Sequence, residues 1–198
     1  MQELGRLNAR AGRLLREFQE AQTQLTLSVS NGCSQIWQPP EGQVYKLNFN
    51  AAIFADLPAS GIGVIIRNDR GQVMAALSSK GVAVQDSEVA KVLACRKALE
   101  FALDADFSNL IVEGDNTTVM NSITLAQSDL SCLGNIYDDI RCLAEGLRHV
   151  EFNSISRSAN RVAHSLAHYA KHLDEDIVWL EDSPPLALEA LYLDSISN

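Results

Sequence analysis

The stretch from 44 to 71, VYKLNFNAAIFADLPASGIGVIIRNDRG, restricts the folds open to this chain more than any other. Two runs of β-branched and other apolar residues, 44–55 and 61–68, flank a Pro/Ser/Gly break. The second run closes on Asn68-Asp69-Arg70-Gly71, a turn signal, and a third run, 72–83, begins at once. Strands joined by connections this tight pair as an antiparallel meander. Asn50 stands in the middle of the first run, between Phe49 and two alanines. A polar side chain there faces either a sheet edge or a site.

Downstream the pattern alternates. Asp86-Ser87 caps a helix over 88–105 that carries a wide apolar face. A short apolar strand, 110–112, runs into Glu113-Gly114-Asp115-Asn116. Helices are expected over 117–126 and 134–147, an alternating strand over 150–156, and a last helix over 160–172. The order βββ-α-β-α-α-β-α makes 44–172 one α/β domain. Ahead of it, 1–22 reads as an amphipathic helix, with Leu4, Leu7, Ala11, Leu14, Leu15 and Phe18 on one stripe and four arginines on the other faces. It either docks its apolar stripe or offers a basic strip to phosphates. Residues 23–43 read as a linker ending in Trp37-Gln38-Pro39-Pro40, an aromatic anchor before the first strand.

Charge separates the chain into two parts. The net charge is −9, which argues against nucleic-acid binding. From His172 onward, however, there are seven acids and no Lys or Arg, while the remaining 18 acids face all 16 bases. The body is near neutral, and 173–198 is an acidic extension with apolar pieces at 178–180 and 186–193. Such a tail either solubilises the chain or covers a basic groove. No apolar run reaches the ~18 residues of a membrane span, and no signal peptide is visible. The four scattered cysteines point to free thiols in a reducing compartment, with cytoplasm or nucleus as the default.

Five ordered segments carry a family resemblance: KLNFNAA (46–52), GIGVIIRNDRG (61–71), AKVLACRKALEFA (90–102), VEGDN (112–116) and RSANRVAHSLA (157–167). Together with the upstream WQPP, the chain over 37–183 resembles the ribonuclease H type 1 fold. More closely it resembles the plant reverse-transcriptase-like family of retroelement-derived genes. The resemblance implies an RNase H-like α/β fold, a mixed five-stranded sheet flanked by helices. It also implies an RNA–DNA hybrid endoribonuclease that uses two Mg²⁺ or Mn²⁺ ions. That chemistry brackets the scissile phosphate between cations about 4 Å apart and needs several converging carboxylates. The family supplies four of them.

Carried onto this sequence, the four positions are Asn50, Lys91, Asp115 and His164, so one carboxylate remains, and Asp115 is the only metal-ligand candidate of the set. An amide at 50 loses a charged oxygen ligand. An ammonium at 91 takes the place of a metal-binding carboxylate and is able to pair with Asp115. His164 is a poor ligand for Mg²⁺, which prefers oxygen. Glu88, one turn before Lys91, is a possible stand-in, and Glu113 or Asp139 could help rebuild a site. His164, His168 and His172 form an i, i+4, i+8 row, read either as a transition-metal site or as a half-solvated face. Gly61 and Gly63 allow close backbone approach, which in the family is approach to nucleic acid. Arg157 and Asn160 either contact phosphate or sugar, or serve as a surface arginine and a helix cap.

Three functional readings follow. The first is a pseudo-nuclease, expected to be a monomer, that binds RNA–DNA hybrid or RNA through groove shape and the basic residues Lys46, Arg67, Arg70, Lys80, Lys91, Arg96, Lys97, Arg157 and Arg161. The second is an active ribonuclease H with a rebuilt site. The third is an interaction module or retroelement remnant without nucleic-acid affinity.

Overall fold

A computed structural model of the chain describes residues 36–125 and 132–196. The helix expected over 1–22 and most of the linker lie outside the described residues. The leading meander is β1 (Tyr45–Ile53), β2 (Ala59–Arg67) and β3 (Val73–Val82). These strands pair antiparallel, with Asn50 opposite Gly63 and Val64 opposite Leu77. The β2–β3 turn forms because Asn68 Oδ1 accepts from the amides of Arg70 and Gln72 at 3.0 and 2.9 Å. Gly71 supplies the left-handed φ of 72° that the turn requires.

Helix α1 (Ser87–Asp104) begins where Asp86 accepts from the Glu88 amide. β4 (Asn109–Gly114) pairs parallel to β1, and β5 (His149–Ser154) parallel to β4. Helices α2 (Thr117–Thr124) and α3 (Cys132–Glu145) lie between these two strands in sequence. Strand alternation sends Leu47, Phe49, Val64, Ile66 and Leu77 into the main core, shared with Val92, Leu99, Met120 and Ile140 from the helices. On the opposite face, α4 (Arg161–Tyr169) buries Val162, Ala163 and Leu166 against Ile65 and Ala76. Helix α4 is shorter than the helix expected over 160–172, because a 3-10 turn, Ala170–His172, follows Tyr169.

Gly61 and Gly63 explain how close α4 comes. A Cβ at Gly61 would lie 2.0 Å from the Ala167 carbonyl oxygen, and one at Gly63 would lie 2.2 Å from that of Ala163. Both are closer than any side-chain carbon can sit, so only glycine admits the helix. The backbone that approaches these two glycines is the chain's own α4.

Among the described residues the sheet has six strands in the order β5-β4-β1-β2-β3-β6, not five. The extra strand, β6 (Ile177–Leu180), comes from the acidic extension and pairs antiparallel with β3. Helix α5 (Leu188–Ser195) follows it. Trp179, Leu186, Ala190 and Leu191 pack on the α4-side core, so much of the extension belongs to the fold. Ile177–Leu180 is apolar throughout and offers no polar alternation to read in sequence, and β6 is held by pairing and by Trp179. Two thiols are described as free, Cys95 buried and Cys142 exposed. Burial alone pushes the Cys95 thiol far up, so it behaves as an apolar core residue.

Candidate functional site

Asp115 follows directly on β4, whose parallel pairing sets it beside the middle of β1. Its carboxylate is 3% exposed. Lys91, in the second turn of α1, directs its ammonium onto Asp115 Oδ1. Asn50 Nδ2 donates to Asp115 Oδ2 at 3.4 Å, while Asn50 Oδ1 accepts from the Ala51 amide at 2.8 Å. Arg157 Nε stands 3.7 Å from Asp115 Oδ2, with its side chain 80% exposed. Asp115 thus gathers residues from β1, α1 and the turn before α4.

His164, half-buried on α4, completes the cluster electrostatically. Burial is the largest cause holding its imidazole below the ordinary 6.5. The neighbouring His168, Arg157 and Lys91 push the same way, and Asp115 opposes them. The His164 and His168 rings stand 4.4 Å apart. With His164 neutral, one carboxylate faces two cations, Lys91 and Arg157.

This donor set does not fit a pair of hard divalent ions. Such ions take carboxylate, carbonyl and water oxygens. Here Asp115 is already engaged by an ammonium, an amide and a guanidinium, and Asn50 turns its nitrogen toward it. Among the described residues, no three His, Cys, Asp or Glu come together as a metal site.

The stand-ins are engaged elsewhere. Glu88 accepts from the Tyr137 hydroxyl at 3.4 Å. Asp139 meets Arg96 at 3.2 Å on the surface. Glu113 is buried, paired with Lys46 at 2.7 Å and accepting from Asn48 Nδ2 at 2.8 Å. Asn160 caps no amide with its side chain. Its Nδ2 instead donates to the Phe49 carbonyl at 2.9 Å, tying the start of α4 to β1.

Sequence reasoning missed a second polar network on the same face. Arg67 is 1% exposed, so it is unavailable to nucleic acid. Its Nη1 donates to Asp194 Oδ2 at 2.7 Å and its Nη2 to Asn48 Oδ1 at 3.2 Å. The guanidinium lies 3.4 Å from the Trp37 ring centroid, so Trp37 is the anchor its sequence context suggests. Arg161 reaches Asp194 Oδ1 at 3.6 Å. The signal was present in part: Arg67 shares strand parity with Ile65 and Gly63 and so falls on a buried row. Asp194, 127 residues away, offered none.

The comparisons with known proteins agree with this architecture. A family model described as reverse transcriptase-like matches residues 48–170. No curated protein matches the chain by sequence. Among solved structures, the RNase H1 of the halophilic archaeon Halobacterium salinarum is 22% identical with a TM-score of 0.59, covering 66% of this chain and 98% of its own. The N-terminal RNase H domain of a Mycobacterium tuberculosis protein is 17% identical with a TM-score of 0.58, covering 66% and 95%. An RNase H1 in complex with RNA/DNA hybrid, LC11, is 18% identical with a TM-score of 0.55, covering 63% and 94%. These likenesses establish an RNase H-like α/β fold.

Proposed function

This chain belongs to the reverse transcriptase-like family, and on that premise we propose that it is a nucleic-acid-binding pseudo-nuclease for RNA–DNA hybrid or RNA. The observation that carries the reading is the Lys91 ammonium on Asp115. It supplies fixed positive charge beside the one carboxylate left at the four family positions, where the family's chemistry calls for metal ions. Arg157, next to Asp115 and largely exposed, is placed to meet a backbone phosphate. The hybrid is carried over from the ligand of LC11, a protein of similar fold. Recognition of a hybrid through backbone shape and 2′-hydroxyls requires no metal. The retroelement origin, the monomeric state and a cytoplasmic or nuclear location belong to the same proposal.

The test mixes the natural protein with labelled RNA–DNA hybrid in Mg²⁺, in Mn²⁺ and in chelator. A triple variant, Asn50→Asp, Lys91→Glu and His164→Asp, runs alongside. The expected result is a salt-sensitive gel shift by the natural protein without cleavage, and metal-dependent cleavage by the triple variant. Cleavage by the natural protein that Asp115→Asn abolishes overturns the reading in favour of a rebuilt nuclease. Absence of any shift at low salt overturns it in favour of an interaction module.

A further inference from the structure

Helix α1 spans the middle of the sheet and does not reach its β6 edge. The face of the sheet under α1 therefore continues past the helix, and a cavity of about 650 Å³ opens between the end of α1 and β6. Its floor is apolar: Leu77 from β3, Phe101 from α1, Phe107 beyond it, and Val178 and Leu180 from β6. The last two are 49% and 63% exposed, an unusual position for a valine and a leucine on one face of one short strand. β6 is also the terminal strand of the sheet, so its outer edge pairs with no strand among the described residues.

The charges around this floor are mostly negative. Asp104, Asp176 and Glu181 line the cavity, with Lys97 the single base among its lining residues. Asp174, Glu175 and Asp176 precede β6, and Glu181 and Asp182 follow it, all exposed. Acids at both ends of an edge strand discourage pairing with a second copy of the same strand. They repel nucleic acid as well. The same charges attract a strand whose ends are basic.

We propose that β6 and the groove beside it form a docking site for an extended segment of a partner protein, apolar at its centre and flanked by lysine or arginine. The segment adds to the sheet along the open edge of β6, sets alternate apolar side chains on Val178 and Leu180, and meets the acids at either end with its basic flanks. Strand β6 lies in the extension, beyond the residues matched by the family model, while Leu77, Phe101 and Phe107 of the floor lie within them. The surface shares no residue with the Asp115 cluster of the proposed nucleic-acid site.

The experiment uses the full chain and a fluorescein-labelled peptide of two lysines, a valine-threonine-valine centre and two lysines. Titration followed by anisotropy is expected to give a micromolar dissociation constant. In the ¹⁵N-labelled chain, the amide signals of Ile177–Leu180 should shift. The double variant Val178→Arg with Leu180→Arg alters only exposed side chains and is expected to weaken binding at least tenfold. Asp138→Asn, on the far exposed side of α3, should leave it unchanged. Equal binding by the double arginine variant overturns the proposal, as does equal binding of the peptide with glutamates for lysines. So does no binding below millimolar peptide. A dimer in sedimentation that the arginine variant dissolves, or displacement of the peptide by RNA, assigns the edge to those occupants and overturns it as well.

Discussion

Two polar clusters occupy the same face of the sheet, a few residues apart on β1, and they are built on opposite terms. The cluster around Arg67 is buried and reciprocal: arginine, asparagine, glutamate, lysine and aspartate bond or pair with one another, and Trp37 stacks on the guanidinium. The cluster around Asp115 is lopsided. One carboxylate meets two cations, one of them open to solvent, beside an imidazole held neutral. An enclosed pair is costly to break, because the remaining partner is left charged and buried. A surplus charge left at the rim is available to a ligand. Asn160 stands between the two, its amide bound to Phe49, whose chain neighbours are linked to the Asp115 cluster on one side and to Arg67 through Asn48 on the other.

Breaking the buried cluster should cost the most. Arg67→Met leaves the Asp194 carboxylate buried and without its main partner, and is expected to lower unfolding stability by about 3–5 kcal/mol in a urea titration. Replacing both partners together, Arg67→Met with Asp194→Leu, should recover most of that loss. If the single variant unfolds no more easily than the natural chain, the enclosed network is not what secures the C-terminal helix to β2.

Lys91→Met tests the open cluster in the same experiment. Asp115 keeps Asn50 and Arg157, and Lys91 is 13% exposed against 1% for Arg67, so the expected loss is smaller, about 1.5–3 kcal/mol. Its larger consequence should be functional. Hybrid binding should weaken, and its salt dependence should become shallower by about one counterion. Equal costs for Arg67→Met and Lys91→Met would erase the distinction between the clusters.

Asn160→Ala removes the tie between them. The Phe49 carbonyl loses a buried donor, for an expected cost of about 1–2 kcal/mol by thermal unfolding.

The smallest effect is that of pH. Because the folded chain holds His164 below 6.5, the unfolded chain takes up the proton first as pH falls. Stability is therefore full above 6.5 and declines below it, until the folded value is passed. His164→Asn should flatten that part of the acid limb in melting curves between pH 7 and pH 5. An unchanged slope would place the titration elsewhere.

Much of the fold was legible because it rests on local pattern. The meander over β1–β3, the Asn68–Gly71 turn, the Asp86 cap and the alternation of strands and helices all lie within short windows of sequence. Asn50, Lys91 and Asp115 could be named together because their spacings follow a family pattern, and the structure does bring these three into contact. The row of histidines was legible as a spacing, and of its members His164 lies within the influence of Asp115.

What lay beyond the sequence depended on long-range pairing. Strand β6 exists because β3 offers it an edge, and no property of Ile177–Leu180 alone requires it. Arg67 reads as one more basic residue until Asp194 arrives from 127 positions away and turns it inward. Glu113 and Lys46 look like free charges until the parallel β1–β4 register sets Glu113 opposite Asn48, within diagonal reach of Lys46. Periodicity and turn chemistry are properties of neighbouring residues, and the sequence determined them. Which charges face each other, and which remain for a partner, follows from how the strands are stacked, and only the tertiary structure decided it.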